Sequence, residues 1–157
     1  MADLTVTLTE AVTLNGSSRG STNTLTVSGV DDIYHRIVTV PNGVDTTLAS
    51  FKSTVGIADG SLDLGNVKYI RVTNMDATNS VNLSLQVETD NDDSAADHSA
   101  TILLEAKKSF LMGTPDAGIA VSDANANIIT ALEDLESIIA DSGSNDVQCE
   151  IFIASVV

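Results

Sequence analysis

Alternation with a period of two runs through this chain and narrows its fold more than any other feature. Between Val67 and Glu88 two alternating runs flank a loop of small and polar residues. In the first run Lys68, Ile70 and Val72 share one face, and Val67, Tyr69 and Arg71 the other. In the second, Val81, Leu83, Leu85 and Val87 oppose Asn82, Ser84, Gln86 and Glu88. Successive side chains of a strand point to opposite faces, so such runs read as strands with one face buried and the other wet. Asn74 to Ser80 is rich in residues that bond their own backbone, and it predicts a local turn. The expectation is an antiparallel hairpin.

The same grammar extends along the chain. Residues 3–14 predict a strand, bulged near Glu10-Ala11, because Thr and Val suit a pleated surface. Residues 15–21 read as loop, Leu25 and Val27 mark a second strand, and Ile33 to Val40 a third. Pro41-Asn42-Gly43 closes that strand with a strong turn signal. Thr46 to Phe51 suggests a short strand or an extended connection; Ile102 to Leu104, Ser109 to Met112 and Gly118 to Val121 suggest further short strands, and Val147 to Val157 a closing one. Asn125 to Ala140 is the exception. Ile128, Ala131, Leu132, Leu135, Ile138 and Ile139 recur at helical spacing and predict an amphipathic helix, with Asp123 or Asn125 as N-cap and Gly143 beyond its end. The fold expected is a single mainly-β domain over residues 1–157. It is an antiparallel β-sandwich, jelly-roll-like, with one helix at about 125–140 inserted before the last strand.

Charge and composition restrict function. The chain of 157 residues holds 22 acids against 7 bases, a net charge of −15. No basic surface is expected to displace counterions, which argues against nucleic acid and anionic membranes as partners. At 43% apolar and patterned, the chain is not of disordered type. No apolar run approaches the roughly 20 residues needed to span a bilayer, and the N-terminus lacks a secretory pattern, so synthesis in a cytoplasm is expected. With no Trp, three Phe and two Tyr, the core rests on Val, Leu, Ile and Ala, and stacking platforms for sugars or bases are scarce.

Candidate chemistry is sparse. Asp90, Asp92, Asp93 and Asp97, followed by His98, cluster oxygen ligands of the kind hard cations take. An EF-hand starting at Asp90 would need Gly at its sixth position and Glu at its twelfth, where Ala95 and Thr101 stand. The cluster therefore reads as a solvated acidic loop, with a surface Ca²⁺ or Mg²⁺ site as the alternative; no other metal site and no cofactor is expected. His35 and His98 lack sequence neighbours that would make a zinc or catalytic set. Cys149 alternates with Val147 and Ile151 and reads as a buried hydrophobe. No nucleophile elbow, Walker loop or dinucleotide fingerprint is present, so no catalytic residue is assigned and no enzyme is expected.

The phrase Val67-Lys68-Tyr69-Ile70-Arg71-Val72-Thr73-Asn74, continued by Asp76-Ala77-Thr78-Asn79, resembles one found in phage head and tail proteins. The closing run Val147 to Ser155 is similar in style, as is the aromatic-poor composition. Over residues 67–157 the chain resembles virion proteins of tailed phages of the small β-sandwich type, most of all capsid decoration (cement) proteins. The resemblance implies a non-catalytic protein that binds the outer surface of a phage capsid and stabilises the shell. Its implied partners are itself, as a homotrimer, and a major capsid protein, and its implied place is the capsid exterior of the virion. Residues 1–14 would then form an N-terminal strand or arm in inter-subunit contact. Two other readings stand beside this one: a tail or head–tail connector subunit, and a carbohydrate-binding β-sandwich module. Three copies would each bring −15 to an assembly. Self-association is therefore expected to weaken at low salt, where repulsion is least screened, and light scattering across a salt series checks this.

Overall fold

Thr, Val and Ile at alternate positions pack well on a pleated surface, and fourteen strands form from them among the described residues. The structure, a computed structural model, describes residues 1–52, 60–88, 98–113, 120–121 and 133–157. In chain order the strands are β1 (Ala2–Thr9), β2 (Thr13–Leu14), β3 (Ser17–Ser18), β4 (Thr22–Val30), β5 (Asp32–Val40), β6 (Thr46–Lys52) and β7 (Leu62–Asp63). A 3₁₀ turn at Leu64–Asn66 follows, then β8 (Val67–Asn74), β9 (Val81–Glu88), β10 (His98–Leu104), β11 (Ser109–Gly113), β12 (Ala120–Val121), β13 (Glu133–Asp141) and β14 (Val147–Ser155). The protein is mainly β, with several antiparallel sheets; among the described residues only β6 and β7 pair in parallel.

Two sheets carry most of the mass. One runs β11-β8-β14-β5, and the other β10-β9-β13-β6-β7, with β12 also on β13. The pairing is nested: β5 pairs with β14, β6 with β13, β8 with β11 and β9 with β10. Contacts of β14 with β8 and of β13 with β9 then complete each sheet. One buried cluster draws on both sheets: Val40, Ile70, Val72, Cys149, Ile151 and Ile153 from the first, and Leu48, Phe51, Leu83, Leu135 and Ile138 among others from the second. Tyr34 ties the two by donating its hydroxyl to the Leu48 carbonyl at 3.1 Å.

The expected hairpin of residues 67–88 does not form. β8 and β9 belong to different sheets, and residues 75–80 carry the chain from one to the other. A loop of this length exceeds the two to five residues usual for a hairpin. Asn74 fixes the departure. It is fully buried, and its Nδ2 donates to the carbonyls of Asn79 (2.9 Å) and Leu104 (3.1 Å) while its Oδ1 accepts from the Asp76 N–H (2.9 Å). β8 also has no uniformly wet face, since Tyr69 and Ile70 are both buried, on opposite faces.

The helix expected at about 125–140 is likewise corrected. Residues 133–141 are strand β13; residues 125–132 lie outside the described residues. The misleading signal has a geometric cause. β13 pairs Leu135 with Val87 but Ser137 with Gln86, so Glu136 is an extra residue, a β-bulge. Leu135 and Ile138 therefore face the same core although three apart, and Ala140 follows two later. A bulge inserts one residue into a period of two and produces a spacing of three, which on its own reads as helical.

One edge, β5, carries a charged side chain on its core-side face. β5 is an edge strand whose Tyr34 and Val38 pack on the core, and Arg36 between them occupies the same face, its guanidinium 4.9 Å from the Tyr34 ring. Inward-placed charges of this kind discourage edge-to-edge pairing.

Two substitutions check this account by chemical denaturation. Leu135→Ala, in the fully buried row created by the bulge, should cost about 2–5 kcal/mol. Asn74→Ala should cost about 1–3 kcal/mol for the buried Leu104 carbonyl it leaves unpaired, far more than a surface Asn. A loss under half a kcal/mol at either position would contradict the assigned packing.

Candidate interaction surface

The first thirty residues build a structure of their own. β1 and β4 pair antiparallel from Ala2–Val30 to Thr9–Thr22. Beyond them β2 and β3 pair, closed by Asn15-Gly16. Both turn residues have positive φ, 51° and 77°, as a type I′ turn demands. Residues 15–21 are therefore the end of one long hairpin rather than a plain loop. The Asn-Gly pair between Leu14 and Ser17 was the sequence signal for it. The two halves of the hairpin join at Glu10 and Gly20. Glu10 N–H donates to Ser21 O at 2.8 Å, and Arg19 N–H to Val12 O at 2.9 Å. A Cβ on Gly20 would lie 1.8 Å from the Glu10 carbonyl oxygen, so no other residue fits there without moving backbone.

The base of this hairpin covers one end of the outer face of the β11-β8-β14-β5 sheet. Val27 and Val30 are buried with Tyr69 and Ala154, and Leu4, Val6, Leu25, Phe152 and Val156 pack around them. Leu25 reaches the edge strand β11: its Cδ2 lies 3.0 Å from where a Cβ on Gly113 would stand. Past that edge the hairpin is bare. Every residue from 7 to 24 is exposed except the half-buried Gly20, and Leu8, Val12 and Leu14 are 55%, 52% and 59% exposed. The expected N-terminal strand or arm over residues 1–14 is thus one side of a two-stranded arm that continues to Val30.

The remainder of that outer face carries an ion-paired cluster. Register places Leu111, Arg71, Phe152 and His35 in one row across the four strands, and Ser109, Thr73, Glu150 and Ile37 in the next. Glu150 accepts from Arg71 Nη1 at 2.6 Å and meets His35 Nε2 at 2.8 Å. Arg71 Nη1 also donates to Thr73 Oγ1, which in turn lies 2.8 Å from Ser109 Oγ. The hydrogen bond from Arg71, then that from His35, holds the Glu150 carboxyl below its ordinary range. His35 tilts over Phe152, ring centroids 5.7 Å apart. Each polar group here is committed to a neighbour in the sheet, which makes the cluster a positioned surface.

The other candidate residues fall elsewhere. Asp90, Asp92, Asp93 and Asp97 lie outside the described residues, and His98 opens β10 at an exposed position. No three His, Cys, Asp or Glu side chains gather as a metal set among the described residues. Cys149 is fully buried in the shared core, and burial pushes its thiol up to about 11, out of reach of ordinary thiolate chemistry. The Thr-Asn-x-Asp phrase has a structural role. Asp76 Oδ1 accepts from the backbone N–H groups of Thr78 (2.8 Å) and Asn79 (2.7 Å), and these bonds hold its carboxyl low. A hollow of about 260 Å³ on the other sheet is lined by Thr47, Ser50, Lys52, Ser61, Glu136 and Ser137, and neither His35 nor Cys149 reaches it.

Because Glu150 is depressed in the folded state, its contribution is present above the ordinary carboxylate range and is lost as pH falls through its lowered value. Glu150→Gln should therefore cost up to about 1 kcal/mol at neutral pH, and its gap from the parent should close in acid. Thermal melts from pH 7 to pH 3 check this; a gap independent of pH would contradict the ion pairing. Compared with models of protein families, with curated proteins and with solved structures, the chain matches none.

Proposed function

We propose that this chain is a structural protein of a phage virion that self-associates, as a homotrimer, on the outer surface of the capsid and stabilises the shell without catalysis. The observation that carries the reading is the hairpin arm. Eighteen residues, 7 to 24, extend past the edge of the sheet that anchors them and hold three large apolar side chains in water. A two-stranded ribbon on its own is marginal, so an arm of this kind is built to be covered by a neighbour.

Three further points support it. We read the nested pairing, first strand with last and so on inward over eight strands, as a jelly-roll sandwich: a long double ribbon rolled into two facing sheets. Viral shell proteins use that architecture, as do lectins and cupins, so it raises the reading without deciding it. The two segments that resemble phage proteins, 67–79 and 147–155, also meet in space, since β8 and β14 are neighbours. Acidity suits the outside of a shell, away from packaged nucleic acid.

The test is where the chain sits on a particle. Antibody raised against the purified protein should decorate the heads of virions recovered from its source, seen by electron microscopy. Labelled tails or connectors would favour the tail-subunit reading, and unlabelled particles would overturn both. Deleting residues 1–12 should abolish capsid binding; full binding by the truncated protein would remove the arm from that role.

A further inference from the structure

The arm and the sheet face beneath it are complementary, but not within one chain. Leu4, Val6 and Leu8 alternate along β1 and share a face of the arm; the first two cover Tyr69, Phe152 and Ala154, and Leu8 hangs beyond with Val12 and Leu14. The arm leaves past β11, one edge of the sheet. The apolar residues left open on the same outer face are Leu111 at 45% exposure and, on the opposite edge strand β5, Ile33 at 43% and Ile37 at 57%. Three bare apolar side chains thus leave by one edge, while two of the three uncovered ones lie at the other.

We propose that the free end of the arm, residues 7–24, seats on the open outer face of the β11-β8-β14-β5 sheet in a second copy of this chain, around Ile33, Ile37 and the His35–Glu150–Arg71 cluster. This deepens the reading of the chain as a self-associating protein and rests on it. Charge selects the occupant. The arm's free end holds only Glu10 and Arg19 and is neutral, in a chain of −15. On the receiving face Arg71 and Glu150 cancel. These are the surfaces on which two strongly acidic copies can meet without repulsion. An arm leaving by one edge for a seat at the other is a head-to-tail contact, which closes into a ring when the rotation allows. The neutral seat also agrees with assembly that weakens at low salt, because repulsion arises elsewhere on the surface.

Single added cysteines test the register of the contact. Val12→Cys and Ile37→Cys are both exposed positions, and buried Cys149 does not compete for reagent. Mixing the two variants under a short bis-maleimide should give a covalent dimer that neither variant gives alone. In parallel, replacing Ala11 to Gly20 by a two-residue Asn-Gly turn, which joins the facing residues Glu10 and Ser21, should leave the fold intact by circular dichroism and yield a monomer. Ile37→Glu, a surface change that spares the core, should weaken association roughly tenfold or more. An oligomer that persists in the shortened arm, or no cross-link from the mixture, would overturn the arm seat while leaving self-association standing. A parent chain that is monomeric at every concentration would overturn both.

Discussion

One core shared by two sheets is the constraint on which the structure depends. With no Trp and few aromatics, the interior is made of branched aliphatic side chains that must interdigitate from both sides. β14 shows the demand most clearly. Val147, Cys149, Ile151 and Ile153 enter that core, while Phe152 and Ala154 turn outward under the hairpin arm. A strand buried on both faces cannot shift register without moving a whole row of side chains to the wrong side. The nested pairing fixes everything else around it, including the edge on which the arm rests.

That outward burial distinguishes one sheet from the other. The β11-β8-β14-β5 sheet has one end of its outer face under the arm and presents the tied His35–Glu150–Arg71 cluster on the rest. The outer surface of the other sheet is mostly hydroxyl- and amide-bearing, at Thr47, Ser84, Gln86, Thr101 and Ser137, with Leu103 exposed on its edge strand β10. A functional surface is expected on the arm side, where Leu8, Val12 and Leu14 of the arm and Ile33, Ile37 and Leu111 of the sheet face remain uncovered together. His35, Glu150 and Arg71 are bound to one another on that sheet face.

Strand identity was largely legible in the sequence because alternation reports burial directly. Residues 32–40 and 147–155 fall where β-branched and apolar residues recur at alternate positions, whereas 46–52, without Val or Ile, gave no such signal. Pairing was not legible, since it depends on contacts between distant strands. Val67 to Glu88 looked like a hairpin because its two runs are adjacent in sequence; the buried amide of Asn74, bonded to Leu104 thirty residues on, sends them to different sheets. At 133–141 a single bulged residue, Glu136, turned strand spacing into apparent helical spacing. The arm was half legible. Thr and Val over residues 3–14 marked one strand, but its return partner required the Asn15-Gly16 turn to be read as a hairpin end. The receiving face was invisible, because Ile33, Ile37 and Leu111 become neighbours of one surface only through β14 and β8.

The account stands or falls on self-association. Light scattering on the purified chain, at low and at moderate salt, measures it most directly. A discrete species at three times the 16.3 kDa of one chain, strengthened by moderate salt, is the result expected. A species of 16.3 kDa at every concentration and salt would contradict it.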